Sequence, residues 1–484
     1  MSSRQCFCAL LAVLCVEGCA TPVPQVLRAK DIPDAFSSST TTTDVWPSSD
    51  WWRGFGNPEL AAFIAESQAN NLDLAAATAR IRAADALVTI QRSPLFPQIG
   101  LAATAQRGNA QVSGSSSLTP LSGSLPVQTG NTYGLSLGAS YELDFWGLAR
   151  SNLRAAQESA KSARYAQRVV ALTVVSNVAN TYLSILGLRQ RIAIAHEYLS
   201  AINGILEIIK LKVSAGASSH LDLAQEQAQA ESVASDVPNL ELQERQALVT
   251  LAVLLGRLPE GFAVMGHDLN QIDAPAVTPG IPSALLSRRP DIAQAEADLA
   301  SAHANLDAAR AAFLPQIDLA ASGGYAGAAV STLLQGSNLV WQAGASLAQT
   351  VFDGGKLVGA RQLARASQDQ LIAAYKNAVL AAYADVESSL TGVASAQTRE
   401  DHLIREVAAA QEAFQIARLQ YQHGTTDLLT VLQAQQTLFT AEDLLAQAKL
   451  SQVQAAVNLY QALGGGWEEP PPEHTQSPVV ASSE

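Results

Sequence analysis

From residue 133 to 145 the chain alternates, with Tyr133, Leu135, Leu137, Ala139, Tyr141, Leu143 and Phe145 on one face and Gly134, Ser136, Gly138, Ser140, Glu142 and Asp144 on the other. A period of two predicts a strand with one apolar face. Weaker alternation predicts three more strands, over 98–106 (Ile99, Leu101, Ala103, Ala105), 316–325 (Ile317, Leu319, Ala321, Tyr325) and 339–352 (Leu339, Trp341, Leu347, Val351). Elsewhere the apolar spacing changes to three and four, as in Val170, Val174, Val178, Tyr182 and Ile185, within a proline-free stretch from 147 to 213. At 1.5 Å per residue this predicts a rod of about 100 Å, longer than most globular helices and typical of coiled coils or helical repeats. Residues 356–422 supply a second such rod, and 58–92 and 219–255 predict helices about half as long. Two short helices stacked end to end would match one long one.

The pattern occurs twice. Leu221, Gln225, Gln227, Leu255 and Gly256 reappear 208 positions later as Leu429, Gln433, Gln435, Leu463 and Gly464, and Pro97, Gln98 and Ile99 reappear as Pro315, Gln316 and Ile317. Each copy reads helix, strand, loop, strand, long helix, helix. The first copy is longer by 11 residues from Pro97 to Phe145 than the second is from Pro315 to Phe352, and carries there a Ser- and Gly-rich tract from 108 to 131, expected as a loop, where insertions are best tolerated.

Four amphipathic strands of about ten residues suit a transmembrane barrel. They cannot close one, and an open sheet edge is not tolerated in lipid. Subunits would therefore share a barrel, of 8 strands in a dimer or 12 in a trimer; the alternative is a pair of amphipathic hairpins lying on a helical body in water. Beyond the signal no run of about 18 apolar residues appears, so no membrane-spanning helix is expected.

The front end points to export. Arg4, an apolar run from Cys6 to Val16, and small residues at Gly18 and Ala20 have the layout of a secretory signal. The four cysteines (Cys6, Cys8, Cys15, Cys19) all fall within it, so cleavage before Cys19 leaves one N-terminal cysteine and no internal disulfide. Val16, Glu17, Gly18 and Cys19 resemble a bacterial lipoprotein box, although Glu17 departs from its usual small or apolar residue; acylated Cys19 would be a lipid anchor. A formal charge of −13 over 484 residues argues against a nucleic-acid partner.

Catalytic signatures are weak. Gly134, Ser136 and Gly138 spell GxSxG, but a nucleophile elbow requires a sharp strand-to-helix turn, and this serine lies mid-strand. The seven histidines include no pair at metal-ligand spacing, and no phosphate-cradling glycine loop occurs. The reading is a non-enzyme without cofactor.

Several ordered motifs carry a family resemblance: WWRGFGNPEL from Trp51, NNLDLAAATARI from Asn70, FPQI from Phe96, YELDFWGLAR from Tyr141, RRPDIAQAEADL from Arg288, VFDGGKL from Val351 and YQALGGGW from Tyr460. Together they resemble the TolC-like outer membrane factors, and with Cys19 the lipoprotein branch serving resistance-nodulation-division efflux pumps. The resemblance implies a mixed, mainly α fold: a homotrimer with a 12-stranded barrel, four strands per chain, in the outer membrane, continued by a long α-helical barrel through the periplasm. It implies a passive exit duct for drugs or other small molecules, docked by a periplasmic adaptor protein and energised by an inner-membrane transporter. A type I protein secretion duct is the alternative, and a periplasmic coiled-coil scaffold lipoprotein a remote one.

On this reading residues 1–18 are the signal, 19–57 a lipidated segment, 58–256 and 285–464 the two repeats, 257–284 a connector, and 465–484 a disordered tail. The turns at 214–219 and 423–426, with Gly216 and Gly424, would form the helix tips for adaptor docking. The resemblance places a periplasmic gate, commonly acidic, just after the second tip. There this chain has Leu429, Thr430 and Gln433, with Asp222 and Gln225 in the first copy. Leu429, Thr430 and Gln433 share a helix stripe by spacing. Either they close the mouth or they are residues of the tube wall.

Overall fold

The computed structural model describes Phe36, residues 46–111 and 127–272, Pro275 and residues 282–467. The first copy comprises α1 (Pro58–Asn70), α2 (Leu72–Arg92), β1 (Gln98–Gln111), β2 (Val127–Glu142), α3 (Leu148–Ser214) and α4 (His220–Leu254). The second comprises α5 (Pro290–Ala311), β3 (Gln316–Gly327), β4 (Leu339–Ala348), α6 (Lys356–Gln422) and α7 (Leu428–Ala462).

Several boundaries differ from expectation. The helix expected over 58–92 breaks at Asn71, whose side chain accepts from the amides of Asp73 and Leu74 and donates to the Leu254 carbonyl at 2.9 Å. That one residue caps a new helix and ties it to the far end of α4. Both ends of the tract expected as a loop are strand: β1 runs to Gln111 and β2 begins at Val127, paired residue for residue. The tip between them lies outside the described residues, as do Cys19 and the tail beyond Trp467. Leu143 and Phe145 fall beyond β2, in the junction to α3.

That junction is built alike in both copies. The Asp144 carboxylate accepts from the amides of Ala149 and Arg150, and Asp353 accepts from Gly355 and Leu357. Gly147 (φ 82°) and Gly355 (φ 94°) supply the left-handed residue that turns the chain into each rod. In α3 an 18-residue window is apolar and long enough to cross a membrane, which corrects the expectation, yet half of it is buried within the chain. Val174, Val178, Tyr182 and Leu186 of α3 instead pack with Phe55, Leu60, Ile64, Leu251, Leu255 and Val457 in the main core.

Short helices line the rods in succession. The first half of α3 meets α2 through Arg164–Asp85 and α5 through Ser159–Ser301, and its second half meets α4 through Arg189–Glu244. Likewise α6 meets α5 through Gln368–His303 near its start and packs on α7 toward its end, where Phe414 clusters with Val431 and Leu438. At mid-length the connector is pinned by Glu59, which accepts from Tyr182 and from the amides of Met265 and Gly266. Trp51 stacks on Tyr460 at 4.8 Å, which joins the start of the described chain to the end of α7.

The sheet is antiparallel in the order β1-β2-β3-β4, so among the described residues both outer strands present an unpaired edge. One face carries Gln98, Gly100, Ser136, Gly138, Asp318, Ser322 and Gln342 around a concavity of about 770 Å³. The other exposes Ile99, Leu101, Leu137, Trp341 and Leu347, with Trp341 79% accessible. Large apolar side chains exposed on one whole face need a non-aqueous partner. Phe145, Trp146 and Phe352 crowd the helix-side rim, where Trp146 donates to the Pro315 carbonyl at 2.7 Å, an arrangement suited to the lipid–water interface.

Candidate functional site: the helix tips and the outer membrane duct

At the end opposite the sheet the two hairpins close with the same turn. The Ala217 amide reaches the Lys212 carbonyl at 2.7 Å and the Gly216 amide reaches Val213; in the second hairpin Thr425 reaches Gln420 at 2.9 Å and Gly424 reaches Tyr421. Gly216 (φ 72°) and Gly424 (φ 74°) take the left-handed conformation this helix stop requires. Both glycines stand free of neighbours, with no other atom within 4 Å of an added Cβ.

The outgoing helices are capped by carboxylates. Asp222 and Ser219 form a reciprocal capping box, and the Ser218 hydroxyl donates to Asp222 at 2.7 Å. These hydrogen bonds, led by Ser218, hold the Asp222 carboxyl below its ordinary range. Asp427 caps α7 by accepting from the Thr430 amide at 2.9 Å and hydroxyl at 2.6 Å, which lowers its carboxyl likewise. Asp222 and Thr430, named from sequence as gate candidates, are thus engaged in capping. Gln225, Leu429 and Gln433 come together instead, lining a groove of about 580 Å³ between α4 and α7 with Gln229, Leu432 and Gln436. Leu429 is half exposed there.

The hairpins are tied to each other above the tips. Tyr198 of α3 stacks on Phe439 of α7 at 4.3 Å and donates its hydroxyl to Gln436 at 3.1 Å; Gln229 of α4 donates both to Tyr198 and to Gln436. Arg191 grips Asp443 through two hydrogen bonds, and Lys212 lies 3.9 Å over the Tyr421 ring. Sequence reading missed these ties because their members are more than 200 residues apart, apart from the Gln229–Tyr198 contact within one hairpin. It also missed Asp427, although an aspartate directly before an apolar helical run is a helix-start signal. Among the described residues no group of His, Cys, Asp and Glu could hold a metal ion.

The arrangement is a long helical body with a lipid-compatible half-sheet at one end and two tied hairpin tips at the other. The family model for outer membrane efflux proteins matches residues 63–257 and 281–465. The chain is 37% identical to the pyoverdine export outer membrane protein OpmQ of Pseudomonas putida, across 96% of this chain and 98% of that one. It is 38% identical to OpmQ of Pseudomonas aeruginosa over 86% of this chain and 87% of that one. The solved outer-membrane channel OprN superposes with a TM-score of 0.85 at 28% identity, covering 94% of this chain and all of the other. The chain therefore belongs to the outer membrane efflux protein family, and its sheet and helices are those of an efflux duct seated in the outer membrane and extending into the periplasm.

Proposed function

We propose that three copies of this chain form one passive exit duct, anchored by acylated Cys19, which receives small molecules from an inner-membrane transporter through a periplasmic adaptor that docks on the helix tips. The observation that carries this reading is the open four-stranded sheet with its exposed apolar face. Closing it in lipid requires partners, and threefold repetition gives the 12 strands and paired helical columns of a continuous tube. The OpmQ relatives, named for pyoverdine export, support an export role for this duct. Similarity to a family of channels supports a non-catalytic role.

At the mouth, Leu429 and Gln433 repeated by threefold symmetry would close the duct by packing and neutral hydrogen bonds. Such closure depends less on salt than paired charges do, because screening acts on charges. Introducing carboxylates by Gln433→Asp sets like charges against one another and should raise leak conductance in planar bilayers, more at low salt than at high. If Gln433→Asp and Leu429→Ala both conduct as the parent does, the constriction lies elsewhere.

The anchor is tested independently. Cys19→Ala should abolish lipid incorporation while trimers still form, because the barrel holds itself in the membrane. Mass spectrometry of the mature N-terminus that finds an unmodified residue other than Cys19 contradicts it.

A further inference from the structure

Glu226 of α4 is fully buried, and neither carboxylate oxygen has a hydrogen-bond partner. It stands on the apolar seam of the first hairpin, in register with Ala230, Val233, Val237 and Leu240 at spacings of four and three, the stripe that meets Ala195, Tyr198 and Ile202 of α3. An unpaired ionised carboxylate at such a position is costly, so the packed hairpin favours the neutral acid. Accordingly, burial raises the Glu226 carboxyl to about 7.

Among the described residues no cation compensates it, and burial alone accounts for its shift. From α3 the titratable group that faces it is Tyr198, raised to about 12 by burial and, in lesser part, by the Glu226 charge, so its hydroxyl stays a neutral donor. From α7 comes the neutral amide of Gln436, bonded to Tyr198 and Gln229. On α4 itself Asp222 is committed to its capping box. The second hairpin buries the neutral Gln435 near the corresponding level, and Ala434 holds the duplicate position of Glu226, so this layer is titratable in one hairpin of the two. Both helix neighbours that matter are at the mouth: Gln225, the preceding residue, and Gln229, almost one turn on, line the groove between α4 and α7.

We propose that Glu226 is a proton-sensitive closure element of the mouth: neutral, it seals α4 against α3, and ionised, it drives α4 outward to reach water and loosens the Gln229–Tyr198–Gln436 tie to α7. The sign follows from linkage. The packed state holds its proton up to about 7, whereas a solvated glutamate loses it near its ordinary value of 4.5. Packing is therefore unpenalised below the lower value, weakens as pH rises between the two, and levels off above the higher.

The effect on the mouth rests on the duct reading; the effect on the hairpin does not. Hydrogen exchange of the full-length trimer in detergent, corrected for the chemical exchange rate, should show the opening equilibrium of residues 220–235 rising on the order of tenfold from pH 5.5 to 7.5. In the isosteric Glu226→Gln and in Glu226→Leu that step should vanish. Planar-bilayer conductance should rise over the same interval in the parent and stay flat in both variants. Variants that keep the parental pH step, or a parent without one, overturn the proposal, as does an exchange step with no matching change in conductance. Absence of conductance from every protein at every pH would fail the duct reading, and exchange alone would then decide whether Glu226 controls the seam.

Discussion

Gly324→Ala should block assembly of the membrane barrel, whereas Gly138→Ala should leave it intact. Both glycines lie on the polar, concave face of the sheet and neither has positive φ, so the contrast is one of space and not of backbone freedom. A Cβ on Gly324 would sit 2.2 Å from the Leu135 carbonyl oxygen and 2.5 Å from the Ser136 Cα. Those are backbone atoms of β2, which no rotamer change can move. A Cβ on Gly138 meets nothing nearer than the Gly100 carbonyl at 4.0 Å. Relieving the first clash means separating β2 from β3 along a ladder that runs from Tyr133↔Gly327 to Glu142↔Asp318. In hydrocarbon each backbone group so released costs several kcal/mol, against a net worth of roughly 0.5–1.5 kcal/mol for the hydrogen bond in water. We expect heat-resistant trimer in outer membrane fractions to fall about tenfold or more for Gly324→Ala, on the scale of a loss of roughly 1.4 kcal/mol or greater per tenfold. Parental levels of trimer from that variant would show that β2 and β3 do not approach as described.

The strands and rods were legible because each obeys one period over a long interval. Tyr133 to Tyr141 could be assigned to one face by alternation, and the proline-free rods needed only the absence of a breaker. Asn71 was not legible as a break because asparagine is tolerated inside helices; it ends one here because its carbonyl can cap Asp73 and Leu74 while its amide finds Leu254. The 108–131 tract reads as loop from its glycines and serines, yet cross-strand pairing carries the ladder through Gly108↔Gly130 to Gln111↔Val127. Local propensity loses there to long-range hydrogen bonding.

The helix tips were legible as places more than as sets of residue roles. Duplicate spacing located both tips, and the glycines that turn them are where helix stops demand them. The roles of individual residues depended on partners remote in sequence. Asp222 and Thr430 look like free polar residues on a helix until their capping partners are seen. Glu226 looks like any solvated glutamate in a helix, because its burial is set by α3 across the hairpin.

Four strands per chain leave β1 and β4 with open edges, over Gln98–Gln111 and Leu339–Ala348. Lipid offers those edges no hydrogen bonds, and the apolar outer face offers water nothing. A folded monomer should therefore not persist in detergent at ordinary concentrations, and assembly should be all-or-none, with β1 of one copy closing on β4 of the next. The most direct measurement is native mass spectrometry of the detergent-extracted protein, with circular dichroism on the same sample. Three copies with strand content intact are expected; a stable monomer retaining that strand content, or a stable dimer with an 8-stranded barrel, would contradict the shared barrel.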